Sequence, residues 1–267
     1  MRVVHHPPAA PLHAAIDRYW SWEGADPLRL LPLMPSPGGL EVFFHYGVPF
    51  ALDDEGARPL PPAHLVCVRT RPVALFQHGR TGFVAVRVRA GMGERLTGVP
   101  LDELADRFVD ARDIWGAAAG ELLERLAEAA SMDARSALLD RFFVAQLQTQ
   151  RHGAELAPAL TALLHGQTRI TDAAHEAGLG TRQLEYRFRH ATGLSPARLR
   201  RLARLRRSIR SLLLAPPEAT LTSLLDPAYH DQAQQVREFR ELTGFTPGEL
   251  RRAGPASAHF YNPSWPR

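Results

Sequence analysis

The chain has 267 residues, 45% of them hydrophobic, which is enough for two compact domains with a core each. Its single cysteine, Cys67, excludes an intramolecular disulfide and a cysteine-based zinc cluster. No signal-peptide pattern opens the sequence and no apolar run reaches about eighteen residues, so we expect a protein of the cytoplasm.

Charge is distributed unevenly between the two halves. Residues 1–150 contain 15 arginines against 18 acidic residues, whereas residues 151–267 contain 17 arginines against 10. The segment Arg182–Arg210 alone holds ten arginines and one acid, Glu185, a density that suits a polyanion such as nucleic acid. All 32 basic side chains are Arg, which indicates a coding bias rather than 32 individual contacts.

Up to about residue 95 the sequence predicts a small antiparallel sheet or barrel. Short β-branched or aromatic runs are separated by Gly and Pro: LEVFFHY, HLVCV, VALFQ and GFVAVRVRAG. In the last run, valines alternate with alanine and arginine from Val84 to Arg89, the pattern of a strand buried on one face.

From Pro100 to about residue 150 the apolar spacing becomes helical. Leu101, Leu104 and Phe108 fit one face, sets within 122–129 and 138–147 follow, and breaks fall near DARDIWG and SMDARS. We expect three helices that cover the sheet or in part form a dimer interface. This completes an α+β domain, residues 1–150, and RHGAEL is the expected linker.

The carboxy-terminal half contains one pattern twice, LEYRFRHATGLSPARL from Leu184 and QVREFRELTGFTPGEL from Gln235, at an offset of 51 residues. A helix from about Thr171 would place the small Ala174 at a helix crossing. Gly178 can then adopt the positive φ of a tight turn, after which Leu179 tucks under it. Leu184 and Phe188, four residues apart, would form the inward face of a second helix. This spacing predicts a helix-turn-helix.

Each copy ends in the same stop-and-restart signal. Glycine suits the position after the helix, a hydroxyl residue the next N-cap, and proline the first residue of the following helix. These residues are Gly193, Ser195 and Pro196 in the first copy and Gly244, Thr246 and Pro247 in the second.

Between the copies, PARLRRLARLRRSIRSLLLAPP predicts one spacer helix of about 19 residues, roughly 28 Å long. Leu199, Leu202, Ile209 and Leu213 share one side of it, and arginines cover much of the rest. Successive major grooves on one side of B-DNA lie about 34 Å apart, so such a spacer could hold two recognition helices in adjacent grooves. Arginines at 200, 201, 204 and 207 either approach phosphates or form a solvated face.

These motifs, above all AAHEAGLGTRQLEYRFRHATGLSP and DQAQQVREFRELTGFTP, resemble the DNA-binding domain of the AraC family of transcription regulators. The resemblance covers about residues 156–254 and implies an all-α domain in which a long helix joins two helix-turn-helix units. The remaining 255–267 would be a tail. The segments RYW, MPSPGGLEVFFHYG, VRTRP and VRVRAGMGERLTGVPLDELADRFVDARDIWG resemble the poorly characterised amino-terminal domain of some of these regulators.

The outward side chains of the second helix in each unit are the expected DNA contacts. In the first unit they are Thr181, Arg182, Glu185, Tyr186 and Arg189; in the second they are Gln232, Ala233, Gln234, Val236 and Arg237. The resemblance places base reading on Arg182, Glu185 and Tyr186, with Tyr186 in place of a common Arg. Asp231 is an expected N-cap.

The second unit departs from the family pattern. Ala228, after Pro227, stands where Gly is usual, and Leu224 stands where a small residue is expected. Proline inside a helix is unfavourable, so the preceding helix should end at Asp226. Gln235 occupies an apolar core position. We expect this unit to be folded but altered, with less sequence discrimination.

For the first half, the aromatic residues favour a β core over a pocket: Trp20, Trp22, Phe43, Phe44, Tyr46 and Phe76. His45, His64 and His78 lie on separate segments, so no metal or cofactor is expected. Cys67, in an apolar run, suggests a buried thiol, and no catalytic motif occurs.

The leading hypothesis is therefore a non-enzymatic, sequence-specific regulator that binds double-stranded DNA, with no membrane partner. Its first half would sense a small-molecule effector or form a homodimer. The alternatives are an enzyme or metal-binding module recruited to DNA by the basic half, and a nonspecific architectural DNA binder.

Overall fold

The structure is a computed structural model that describes residues 2–24, 29–30, 39–149, 157–164, 168–216, 218–220, 229 and 231–253. The proposed linker 151–156 and the tail 255–267 lie outside these residues. So do Leu224, Asp226, Pro227 and Ala228, on which the expected departures of the second unit depend.

The amino-terminal half is built on a six-stranded antiparallel sheet. Its strands, in spatial order, are β1 (Arg2–His6), β2 (Ile16–Gly24), β7 (Thr81–Val88), β4 (Glu41–His45), β5 (Ala63–Val66) and β8 (Phe108–Asp110). Short strands β3 (Arg29–Leu30) and β6 (Leu75–Phe76) form a separate antiparallel pair. The predicted sheet and its antiparallel pairing are confirmed.

Strand β7 is buried along its whole length, so the prediction of one solvated face is wrong. Its neighbours β2 and β4 pair on both edges, and both faces of the sheet are covered. Arg87 is only 3% exposed, and its Nε donates to Glu41 Oε1 at 2.6 Å. Alternation therefore marked a strand with a buried ion pair on one face, rather than a strand facing water.

Two faces of the sheet have different surroundings. On one face aromatic rings pack together, including Trp20 and Phe43 against Phe83 with centroids 5.0 and 5.2 Å away. On the other, Tyr19 donates to Asp140 Oδ1 at 2.8 Å, which ties the sheet to a covering helix. The core interpretation of these aromatics agrees with their burial, whereas Tyr46 and Phe76 are only partly buried.

Helices of the amino-terminal half are α1 (Gly93–Thr97), α2 (Leu101–Leu104), α3 (Ala111–Trp115), α4 (Ala117–Glu128) and α5 (Met132–Thr149). The expected three helices are thus four after Pro100, and DARDIWG forms α3 instead of a break. Phe108 does not continue a helical face: it begins edge strand β8, whose pairing with β5 outweighs the local helical spacing.

The carboxy-terminal half is helical, as predicted. Its described residues form α6 (Ala157–Leu164), α7 (Ile170–Glu176), α8 (Thr181–Thr192), α9 (Pro196–Leu214), α10 (Gln232–Thr243) and α11 (Pro247–Ala253). Buried apolar residues of both halves belong to one continuous cluster, so the halves are packed together.

Candidate DNA interface

The first helix-turn-helix consists of α7 and α8, and its turn has the predicted geometry. Gly178 has φ +65°, and the Leu179 amide donates to Ala174 O at 2.8 Å, closing the turn back on α7. Ala174 is 2% exposed, and Leu184 and Phe188 are fully buried. The small residue, the left-handed glycine and the apolar pair therefore fix how α8 crosses α7.

One side of α8 is exposed along most of its length. The exposed side chains include all five predicted contacts: Thr181, Arg182, Glu185, Tyr186 and Arg189. Residues 182, 185, 186 and 189 recur three and four apart and so share one face. Tyr186 is 65% exposed, and its ring lies 4.3 Å from that of His190. This face offers a guanidinium, a carboxylate and an aromatic ring together.

The two stop-and-restart signals are equivalent at atomic level. Thr192 Oγ1 and Thr243 Oγ1 each donate to a phenylalanine carbonyl at 2.7 Å, at Phe188 and Phe239 respectively. Gly193 and Gly244 follow, both with φ +77°. The sequence repeat is therefore a structural repeat, in which each recognition helix, α8 or α10, ends in the same way.

N-caps complete the signals. Ser195 Oγ accepts from the Arg198 amide at 3.4 Å, and Thr246 Oγ1 accepts from the Glu249 amide at 3.2 Å. Glu249 in turn accepts from the Thr246 amide at 2.7 Å, which makes a capping box. The helix starts at Pro196 and Pro247 are as predicted.

A third such signal, TGVP at residues 97–100, was missed by the sequence analysis. Thr97 Oγ1 donates to Gly93 O at 3.1 Å, and Gly98 has φ +71°. It joins α1 to α2, the helices that pack against α8. The shared Thr-Gly pair, followed within three residues by Pro, was the available signal.

Helix α9 is the predicted spacer: it has 19 residues and ends at Leu214, before Pro216. Leu199, Leu202 and Ile209 are buried as expected, but Leu212 rather than Leu213 is the buried residue of the last turn.

Two spacer arginines are engaged in ion pairs within the protein. Arg201 Nε and Arg204 Nη2 donate to Glu238 Oε2 at 3.0 and 2.7 Å, and Arg201 also pairs with Glu241. The solvated-face alternative is therefore wrong for these two residues, because acidic residues of α10 pair with them, whereas the phosphate-contact alternative stays a prediction. Arg200 and Arg207 are exposed.

The second recognition helix, α10, is capped as predicted: Asp231 Oδ1 accepts from the Gln234 amide at 2.6 Å. Gln232, Ala233 and Arg237 are exposed, whereas Gln234 and Val236 are half-buried. Gln235 is 5% exposed, in agreement with its assignment to a core position.

The amino-terminal half packs against the carboxyl end of α8. His190 Nδ1 lies 3.4 Å from Asp102 Oδ1 of α2. A Cβ on Gly193 would lie 3.0 Å from Leu101 O, so α2 sits directly on the end of the recognition helix. This contact leaves the first two turns of α8 exposed to an external ligand.

Inside the sheet, His45 and His64 are not isolated, contrary to the sequence prediction. Their rings stack with centroids 5.4 Å apart, and both are buried. Burial lowers the pKa of His64 to about 4 and holds that of His45 well below its ordinary value, so both are neutral at pH 7. Neither ring nitrogen of His45 has a hydrogen-bond partner among the described residues.

Other chemistry in this half is structural. Cys67 is fully buried, and burial raises the pKa of its thiol to about 12, which leaves it protonated. His78 is exposed, and its Nε2 lies 3.0 Å from the Asp53 carbonyl oxygen. Within the described ranges, no three His, Cys, Asp or Glu side chains are grouped as metal ligands, and no helix is long and apolar enough to cross a bilayer.

One complete helix-turn-helix, α7 and α8, is joined by the long helix α9 to a second candidate recognition helix, α10, and this arrangement defines the class: a helix-turn-helix DNA-binding protein. Residues 173–253 match the family of the helix-turn-helix domain, and residues 4–110 match a domain of unknown function, DUF6597. The chain therefore carries an AraC-type helix-turn-helix domain at its carboxyl end and is a DNA-binding regulator with an amino-terminal domain.

Solved structures of ToxT from Vibrio cholerae are similar to this chain at 10% identity. One at 1.65 Å resolution has a TM-score of 0.47 and covers 88% of this chain and 98% of its own. Another, with an unsaturated fatty acid bound, has a TM-score of 0.43 and covers 87% and 93%. None of the curated proteins matches the chain.

Proposed function

We propose that this regulator reads DNA sequence mainly through the first two turns of α8, while its amino-terminal half senses a small-molecule effector. The observation that carries the proposal is the exposure of Arg182, Glu185 and Tyr186 on a helix whose other end is held by α2. A rigidly held helix with a free polar amino-terminal face fits major-groove insertion.

Each reading residue has a distinct chemical role. The Arg182 guanidinium can donate to guanine O6 and N7 together, and the Glu185 carboxylate can accept from cytosine N4. The Tyr186 ring offers an apolar surface for a thymine methyl. Thr181 and Arg189, at the margins of this face, suit phosphate oxygens.

The second unit contributes through α10. Gln232 and Gln234 can pair with adenine N6 and N7, and Arg237 suits guanine or phosphate. Gln234 is half-buried, which supports a smaller share of base reading here than in the first unit. A homodimer is not required, because two reading units already occur in one chain.

Sensing is supported by a packed connection from the sheet interior to the DNA-binding half. His64 stacks on Phe43 at 5.3 Å, and its ring lies 5.9 Å from that of Phe108. The Arg69 guanidinium lies 4.6 Å from the centroid of Phe108 and belongs to the β5–β6 loop, residues 67–74, which contacts the carboxy-terminal half. An effector that binds one packing of these groups better than another would shift the DNA-competent population.

We infer no catalytic role for this half. The protonated Cys67 thiol and the neutral, stacked histidines lack the activated nucleophile that hydrolytic or transfer chemistry needs. A metal titration of the full chain tests the alternative module directly, since stoichiometric binding with turnover would favour it.

The test of base reading is Arg182→Ala, after the preferred site has been selected from random DNA with the full chain. Loss of a bidentate guanine contact should cost about 1–3 kcal/mol of discrimination at one position of the site. Arg141→Ala is the matched control, because Arg141 is an exposed arginine of α5 in the other half. All affinities are compared at one salt concentration.

If Arg182→Ala weakens binding to the selected site and to unrelated DNA equally, Arg182 contacts phosphate and the base-reading assignment is wrong. If the wild-type chain binds both DNAs equally well, the protein is an architectural binder.

A further inference from the structure

The β5–β6 loop contacts both helix-turn-helix units, and at the corresponding point of each. A Cβ on Gly193 would lie 2.8 Å from Val68 Cγ1, and a Cβ on Gly244 would lie 3.8 Å from Pro72 Cβ. These two glycines are the residues that end α8 and α10. One loop of the amino-terminal half therefore sits against the ends of both recognition helices.

Four residue steps separate Val68 from Pro72, and such a stretch spans at most about 14 Å. Between the two contacts, Thr70 lines a cleft whose other walls come from both units and the spacer: Leu194, Arg198, Arg201, Leu202, Glu241 and Leu242. The carboxyl ends of α8 and α10 are thus about one short loop apart.

The loop is held from within the amino-terminal half by Asp106. Its Oδ1 accepts from the Thr70 amide at 2.6 Å, its Oδ2 accepts from Thr70 Oγ1, and its own amide donates to Val68 O at 3.0 Å. Among the described residues, Asp106 is the one non-glycine residue with positive φ, +59°. This unfavourable conformation persists because it aims three hydrogen bonds at the loop.

We propose that the β5–β6 loop sets the separation and relative orientation of the two recognition helices. The amino-terminal half then determines which spacing between the two parts of a DNA site the regulator accepts. The inference rests on the proposed function, since it requires that both units engage DNA.

The physical basis is the helical geometry of the duplex. Inserting one base pair between the two parts of a site moves them about 3.4 Å apart and rotates them by about 34°. A pair of helices held by a common loop cannot follow this change, whereas a pair joined only by the spacer helix and its ion pairs can adjust.

The test uses full-length protein and the selected site with one base pair inserted or deleted between its two parts. Asp106→Gly permits the same backbone conformation and removes both side-chain bonds to Thr70. The wild type should lose about tenfold or more in affinity on either altered site, a loss of the order that one mismatched base pair within a site causes. Asp106→Gly should lose less than about threefold in affinity on the same altered sites.

Two further variants separate this effect from general damage. Pro72→Gly removes the exposed side chain whose Cβ and Cγ lie beside Gly244 and should relax spacing in the same direction. Asp53→Gly removes a carboxylate that anchors another loop of the same half, through the Ala57 amide at 2.7 Å, and should keep the wild-type spacing profile. Binding of each variant to an isolated half-site reports whether its reading unit is intact.

A structural readout needs no DNA. Nitroxides at Gln183→Cys and Ala233→Cys, both exposed positions, report the distance between the recognition helices by pulsed dipolar spectroscopy. Cys67 is buried and does not label. We expect a narrow distance distribution in the wild type and a broader one in Asp106→Gly.

The inference is overturned if Asp106→Gly and Pro72→Gly keep the wild-type spacing profile and distance distribution, or if the selected motif has a single part. The proposed function fails separately, if the wild type selects no motif at all.

Discussion

Glu238 is the most informative residue for the stability of the second unit. It is 5% exposed on α10 and accepts hydrogen bonds from Arg201, Arg204 and Tyr229, the last at 2.7 Å. Glu238→Ala removes the carboxylate that accepts all three bonds. The substitution should therefore loosen α10 from the spacer helix.

The size of the effect follows from burial. Removing one member of a buried ion pair typically costs about 3–5 kcal/mol. The side chains of Arg201 and Arg204 are 34% and 23% exposed, so water replaces part of what they lose, and Arg201 keeps Glu241. We therefore expect the free energy of opening α10 to fall by about 2 kcal/mol. Glu238→Gln, which keeps an acceptor, should cost about 1 kcal/mol.

Hydrogen exchange measured by mass spectrometry resolves this, because it reports opening of α10 separately from the rest of a two-domain chain. Amides of α10 should exchange about 30-fold faster in Glu238→Ala. Glu241→Gln is the control: it touches the same Arg201 but is 61% exposed, so its effect should stay below about 0.5 kcal/mol. Equal protection in both variants would contradict the assignment of Glu238 as the anchor of α10.

Two more predictions concern the left-handed turns and the buried histidines. The Cβ of Gly178→Ala would have no atom within 4 Å, so only the φ of +65° disfavours this substitution, at a cost of about 1–2 kcal/mol of stability. Gly193→Ala adds a close contact with Val68 and should lower the thermal midpoint further. A larger loss of thermal stability in Gly178→Ala than in Gly193→Ala would contradict this prediction. Because burial lowers the pKa of His64 to about 4 against an ordinary 6.5, the unfolded chain binds more protons between these values. The stability that neutral His64 contributes is complete above pH 6.5 and should fall by about 3 kcal/mol as the pH drops to 4. The free energy of unfolding of His64→Phe should therefore depend less steeply on pH in this range. An unchanged pH dependence would show that His64 protonates freely in the fold.

Elements with a local cause could be predicted from the sequence. The turn at Gly178, the ends at Gly193 and Gly244 and the caps at Ser195 and Asp231 each depend on residues within about four positions along the chain. The candidate face of α8 follows from the same periodicity that buries Leu184 and Phe188.

Elements whose structure depends on residues far away along the chain could not be predicted from the sequence. β8 looked helical at Phe108 because its partner β5 lies some forty residues earlier. Arg87 looked solvent-facing because its partner Glu41 is on another strand, and His45 looked isolated because β4 and β5 bring it to His64 only when they pair.

By itself the sequence predicted a DNA-binding regulator with two helix-turn-helix units, and it determined the helix ends, helix starts and spacer, because helix periodicity, capping and left-handed glycines act over a few residues. Only the tertiary structure decided that Glu238 captures two spacer arginines and that one loop of the sheet touches the ends of both recognition helices. Such contacts depend on which surfaces are brought together by burial of a shared core, and no spacing within a single segment encodes them.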